Sequence, residues 1–211
     1  ILGATSGDTG SAALEAFKSK KKSNIFILFP FNRVSQVQQK QMTSIHELGT
    51  ESIALKTDFD GCQNVVKKLF NDIEFRDKVS LSAVNSINWA RLIPQIAYYF
   101  YASFKVGAPE KEVIFSVPTG NFGNILAGWI AIKMGLPIKK LICSSNRNDV
   151  LTRFFNSGVM QKFNLVSSLS PSMDIQVSSN FERILFELVD RDSERLNYLM
   201  QSFEKENLYK L

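Results

Sequence analysis

Three short stretches of the chain collect residue types suited to holding anions. The first is Ala4-Thr5-Ser6-Gly7-Asp8-Thr9-Gly10, which follows the apolar run Ile1-Leu2 and opens an amphipathic run over 11–17. A strand-to-helix turn of this kind presents backbone N–H groups at a helix N-terminus, where aligned peptide dipoles favour negative charge. Glycine lets a ligand come close to the backbone, and the hydroxyls of Thr5, Ser6 and Thr9 add donors, so a carboxylate suits the turn. A plain glycine-rich turn with an Asp or Ser cap is the competing explanation. The second stretch is Pro118-Thr119-Gly120-Asn121-Phe122-Gly123-Asn124. Two glycines three apart, flanked by asparagines, build a nest of N–H groups suited to phosphate. It has neither the Gly-Lys-Ser/Thr ending of a Walker loop nor the GxGxxG dinucleotide fingerprint. The third, Asn85-Ser86-Ile87-Asn88-Trp89-Ala90-Arg91, crowds amide, hydroxyl and guanidinium groups together. An arginine at a helix start clamps phosphate bidentately, although helix capping beside a surface arginine explains the same residues.

Elements must position these groups. Short apolar runs over 25–29, 52–55, 79–84, 113–117 and 140–144 read as strands. Amphipathic runs read as helices over 34–48 (ending at Gly49), 62–70 (opened by Asp58 or Asp60), 89–106 (with Pro94 in its first turns), 125–134, 150–156, 181–189 and 196–203. Strands alternating with helices predict an α/β fold with parallel sheets. A change of unit falls near 82–88 and is drawn between 84 and 85. Asn146, Arg147 and Asn148 follow a strand and 172–183 form a loop; capping and packing explain both, and Asp174 has no assigned role.

Composition excludes several classes. The chain has 211 residues, 45% hydrophobic and 21% charged, ordinary for a globular protein. The net charge of +5 is dispersed; its tightest run is Lys18 to Lys22. With no basic face interleaved with aromatics, nucleic-acid binding is not expected, and an anionic small substrate fits the charge balance. Cys62 and Cys143 lie far apart, so neither a disulfide framework nor a zinc site is implied and a reducing compartment is expected. His46 is the only histidine, which argues against a His-rich metal site and leaves little for a Ser-His-Asp hydrolase; it reads as a helix residue. No apolar run is long enough to span a membrane. The chain opens inside a strand-like run without an initiator methionine, so a piece of a longer protein is expected.

Five segments in this order, TSGDTGSAA, NSINWARLIPQI, PTGNFGNILAG, NRNDVL and SMDIQVSSNFERIL, together resemble the threonine synthase family in the branch found in fungi and many bacteria. The resemblance runs through nearly the whole chain. It implies a tryptophan synthase β-like, fold-type II enzyme: two three-layer parallel-sheet α/β domains with pyridoxal 5'-phosphate between them. Residues 1–84 would be a small domain carrying the substrate turn, and 85–211 part of the large cofactor domain. By similarity, Gly120, Asn121, Phe122, Gly123 and Asn124 form the cofactor phosphate loop. Thr5, Ser6, Gly7 and Thr9 face the substrate carboxylate, with Asp8 toward the cofactor, and Asn85, Ser86 and Arg91 hold the substrate phosphate. The implied reaction converts O-phospho-L-homoserine and water to L-threonine and phosphate, in threonine biosynthesis. The family's cofactor-bearing lysine lies upstream of the TSGDTG turn, so the catalytic residue is expected outside this sequence; Lys56 is rejected for the role. A related phospho-lyase, or an inactive binding protein that kept the fold, are the alternatives. A cytoplasmic monomer or homodimer acting on a small molecule, without metal, membrane or nucleic acid, completes the expectation.

Overall fold

The computed structural model describes residues 1–211, the side chain of Asp60 excepted. The chain falls into two compact units, Ile1–Asn85 and Ser86–Leu211.

The first unit contains β1 (Leu2–Ala4), α1 (Asp8–Phe17), β2 (Ile25–Pro30), α2 (Gln36–Thr43), β3 (Thr50–Leu55), α3 (Phe59–Asn71) and α4 (Ile73–Lys78). β2 lies between β1 and β3, and all three run parallel, with Leu2 opposite Phe26 and Ile27 opposite Ser52. β2 is apolar from end to end because helices cover both of its faces. Ile25, Ile27 and Phe29 pack with Ala13 and Leu14 of α1 and Met42 of α2. Leu28 points the other way, to Leu2 and to Cys62 of α3. Ser35 caps α2 by accepting from Gln38 N, and Asp58 caps α3 by accepting from Gly61 N at 2.8 Å. The alternative cap, Asp60, lies outside the described side chains.

Two elements differ from expectation. The helix predicted over 34–48 stops at Thr43, so His46 lies beyond it. Thr43 and Ser44 turn their hydroxyls back onto Gln39 O and Gln41 O, and such local bonds compete with helix propagation. The strand predicted over 79–84 is reduced to a single bridge between Leu2 and Ala83. Ser80 there has a positive φ of 48°, which breaks extended geometry.

The second unit contains α5 (Trp89–Val106), β4 (Val113–Pro118), α6 (Gly123–Lys133), β5 (Ile138–Ser144), α7 (Val150–Ser157), β6 (Val159–Gln161), a 3-10 turn at Pro171–Met173, α8 (Phe181–Leu188), α9 (Ser193–Glu206) and β7 (Leu208–Lys210). β4 and β5 pair in parallel; β6 and β7 form a small antiparallel ladder. α6 buries Ile125, Leu126, Ala127, Gly128 and Ala131, as expected of a helix apolar nearly all round. Phe122, Phe154, Phe181 and Tyr209 join the same core through edge-on ring contacts. α5 ends at Gly107 in the left-handed region, with Ala108 N–H closing onto Ser103 O at 3.0 Å. Among the described residues no helix is long and apolar enough to cross a membrane.

Gly128 lets α6 approach α5: a Cβ there would sit 2.7 Å from the Tyr99 ring and 3.0 Å from Leu141 Cδ2. Overpacking of this kind costs about 1–3 kcal/mol. Gly128→Val is therefore expected to lower the urea-unfolding free energy by that amount. An unchanged midpoint would contradict this packing.

Candidate anion-binding loops and cofactor site

The loop after β4 is built from the sheet outward. Thr119 N–H donates to Ser144 O at 2.9 Å, carrying the parallel ladder one step past β4. The buried Thr119 hydroxyl donates to Val117 O at 2.6 Å. Phe122 then adopts φ 64° and ψ 0°, which costs a non-glycine residue about 1–2 kcal/mol. Burial of its ring against Phe181, 5.1 Å away edge-on, offsets this. Phe122 thus offers a ligand its backbone, while its side chain belongs to the core. No side chain caps α6, so the first-turn N–H groups from Gly123 onward point out of the helix end.

Residues 178–180 hold the loop's carbonyls. Ser178 Oγ donates to Gly120 O at 2.7 Å. Asn180 donates to Asn121 O twice, from its backbone N–H at 3.0 Å and from Nδ2 at 2.9 Å. In a trans peptide the C=O of one residue and the N–H of the next point in opposite directions. Fixing the Gly120 and Asn121 carbonyls therefore aims the N–H groups of Asn121 and Phe122 away from 178–180. Tyr99 Oη lies 2.9 Å from Asn124 Oδ1 and 3.0 Å from its backbone O, which turns the Asn124 amide NH2 away from the core. The glycines let neighbouring segments pack closely on the loop: a Cβ at Gly120 would meet Ile175 Cδ1 at 2.9 Å, and one at Gly123 would meet Asn180 Nδ2 at 3.3 Å. Successive N–H donors at an uncapped helix end fit a phosphate.

The start of α5 lies beside this loop, a Cβ at Gly123 falling 3.7 Å from Ser86 O. Asn88 caps α5 through Ala90 N at 2.9 Å, and Arg91 sits in the first turn. Burial holds the Arg91 guanidinium below its usual pKa; it stays cationic and is partly desolvated. Ser86 Oγ lies 3.2 Å from Ser179 Oγ, and Ser86 O accepts from Asn180 Nδ2 at 3.0 Å. Arg183 donates to Ile87 O at 2.7 Å and lies over the Trp89 ring. The second unit therefore brings Ser86 and 120–124 together, with Arg91 in the first turn of α5; Asn85 is the last residue of the first unit.

The remaining candidates lie on one turn of the first unit. Thr5 is buried behind it, its Oγ1 accepting from Gly7 N–H at 3.0 Å and Gly10 N–H at 2.9 Å. Gly7 enters α1 at φ 144°, a conformation reserved in practice for glycine. Ser6, Asp8 and Thr9 occupy the outer side, and the Asp8 carboxylate accepts from Gln38 Nε2. Lys56 lies exposed just past β3.

Asn146, Asn148 and Asp174 form a loop clamp. Asp174 Oδ1 accepts from Asn146 Nδ2 at 2.8 Å, Asn148 Nδ2 at 3.0 Å and Ser168 Oγ at 2.6 Å, and its Oδ2 accepts from Ser168 N–H at 3.0 Å. Asp149 pairs with Arg153 at 2.8 Å. These groups are spent on one another. Ser178, Asn180, Arg183, Gln38 and Tyr99 were not assigned from the sequence; the string SSNFER marked the first three without giving them a task.

The family of pyridoxal-phosphate dependent enzymes matches residues 1–198. The chain belongs to this family. Threonine synthase of Pseudomonas aeruginosa is 52% identical over 204 residues, covering 97% of this chain and 44% of the relative. That of Saccharomyces cerevisiae is 50% identical over 191 residues, covering 89% and 37%. The crystal structure of PLP-bound threonine synthase from Brucella melitensis matches with a TM-score of 0.92 at 53% identity, over 100% of this chain and 46% of its own. The chain thus spans less than half the length of these relatives. Maize serine racemase, 14% identical with a TM-score of 0.66, shares the fold alone. The fold is that of the fold-type II pyridoxal-phosphate enzymes, α/β with parallel sheets.

Burial pushes the Tyr99 phenol up to about 12 and raises Tyr209 as well, whereas an unfolded tyrosine titrates near pH ~10. Between those values the folded chain keeps protons that the unfolded chain has released. Stability intact below pH ~10 must therefore fall as pH rises toward ~12. Tyr99→Phe is expected to reduce that slope by up to about 1.4 kcal/mol per pH unit in denaturant titrations; an unchanged slope would contradict the burial of this hydroxyl.

Proposed function

We propose that the protein acts as a threonine synthase, converting O-phospho-L-homoserine and water to L-threonine and phosphate. The observation that carries this reading is the amide nest at 120–124, whose donors are turned away from residues 178–180 at the uncapped N-terminus of α6. In this reading the N–H groups of Asn121, Phe122, Gly123 and Asn124 hold the phosphate of pyridoxal phosphate. When bound, that cofactor supplies an electron-withdrawing ring that stabilises negative charge on substrate carbon. Close identity to threonine synthases across the described residues supports the choice of substrate.

The chain's own residues bind and orient. Arg91 and Ser86, with Asn85, take the substrate phosphate: a partly desolvated guanidinium gains more from a dianion than an exposed one does. The same contact stabilises the phosphate as it departs. Ser6, Gly7 and Thr9 take the substrate carboxylate through hydroxyls and the amides at the start of α1. Thr5 serves from behind by fixing the turn, and Asp8, held by Gln38, is the cofactor-binding residue of that turn. The first unit is the small substrate-binding domain, and the second is part of the cofactor domain.

Arg91→Ala in the full-length protein is expected to cost about 2–4 kcal/mol in kcat/KM for phosphohomoserine, carried mainly by KM. Its visible absorbance with added pyridoxal phosphate should stay at the wild-type level. Loss of that absorbance as the main effect would overturn the assignment of Arg91. Gly123→Val crowds Asn180 Nδ2 and Ser86 O and so displaces the nest from its brace; it should abolish cofactor binding in an absorbance titration. Wild-type binding by this variant would remove 120–124 from the phosphate site.

A further inference from the structure

Asn180 is fully buried, and its polar atoms are spent on other segments. Its side-chain amide spends both donor positions on carbonyls from two different loops: Asn121 O at 2.9 Å and Ser86 O at 3.0 Å. Its Oδ1 accepts from Arg183, whose other arm donates to Ile87 O at 2.7 Å. Its neighbours repeat the pattern. Ser178 holds Gly120 O, and Ser179 Oγ donates to Asn121 Oδ1 at 3.1 Å and meets Ser86 Oγ at 3.2 Å. One short segment at the head of α8 thus grips the backs of both anion-binding loops of the second unit, and the Asn180 side chain bonds the main chain of both.

We infer that Asn180 is a positioning residue that couples these two loops, so that filling the 120–124 nest orders the 86–91 loop and raises its affinity for a phosphate monoester. The carbonyls of Gly120, Asn121, Ser86 and Ile87 all face this brace, so the N–H groups on the far side of each peptide move with it. A shift of the nest on binding is passed to Ser86 through one planar amide, whose two N–H bonds diverge at a fixed angle. The arrangement makes the cofactor the first ligand and the phosphorylated substrate the second. That assignment of ligands rests on the function proposed above; the mechanical link between the loops does not.

Hydrogen exchange read by mass spectrometry on the full-length protein, with pyridoxal phosphate as the probe, separates the two. In the wild type the cofactor should slow exchange in both 118–124 and 86–91. In Asn180→Ala its affinity should fall about tenfold, the effect of orphaning buried partners, and at saturation protection should be confined to 118–124. Ser178→Ala should weaken the cofactor while keeping both segments protected. Arg183→Met should loosen 86–91 and change cofactor affinity by less than about twofold. A residue that only stabilised the fold would instead speed exchange throughout the second unit, α9 included. If Asn180→Ala does not fold, Asn180→Ser, which retains a single donor, carries the same expectation. Protection of both segments in the Asn180 variant overturns the coupling, as does a wild type in which the cofactor protects 118–124 alone. Should the cofactor protect neither segment in the wild type, the proposed function fails. The link is then judged without ligand, where Asn180→Ala must speed exchange in both loops, and an effect on one alone refutes it.

Discussion

The site depends on which way two peptide planes face. The carbonyls of Gly120 and Asn121 are turned toward residues 178–180 and bonded there, which commits the following N–H groups to the opposite side. The constraint comes from behind, from a segment that enters α8 through Phe181, whose ring packs edge-on against Phe122. Core packing and amide orientation are therefore one event: the ring contact holds Phe122 in the left-handed region, and that conformation lets α6 start with its amides uncapped.

The first unit solves the same problem with a shorter side chain. Thr5 sits behind its turn and receives two N–H groups on one oxygen, while the other amides and hydroxyls face outward. A hydrogen bond contributes about 0.5–1.5 kcal/mol net, but leaving a buried partner unmet costs about 1–3 kcal/mol. Such rear braces thus matter more for the alternatives they forbid than for the stability they add. Both turns spend a buried polar side chain behind the backbone, so that the amides left over face outward.

Much of this was legible in the sequence. Glycine-bearing turns between an apolar run and an amphipathic one marked both anion loops, and the apolar run IFILF over 25–29 marked a strand. The failures have local causes. The helix over 34–48 looked longer than it is because Ile45 and Leu48 continued the pattern, while the hydroxyls of Thr43 and Ser44 ended it. The ladder of β6 and β7 joins three-residue strands too short for any periodicity to register. Asn146, Asn148 and Asp174 had no assigned role in the sequence, and only the fold reveals that they bond to one another. Asn180 was illegible for the opposite reason: an asparagine before a helix reads as a cap, and its true partners, the carbonyls of Ser86 and Asn121, are remote in the chain.

The central claim is that the amides of residues 121–124 form the phosphate site. Backbone amide chemical shifts recorded during titration with pyridoxal phosphate test it most directly. The account predicts that the Asn121, Phe122, Gly123 and Asn124 resonances move first and furthest, with a single shared dissociation constant. Saturable binding that leaves these four amides unmoved, with the shifts centred elsewhere, would contradict it.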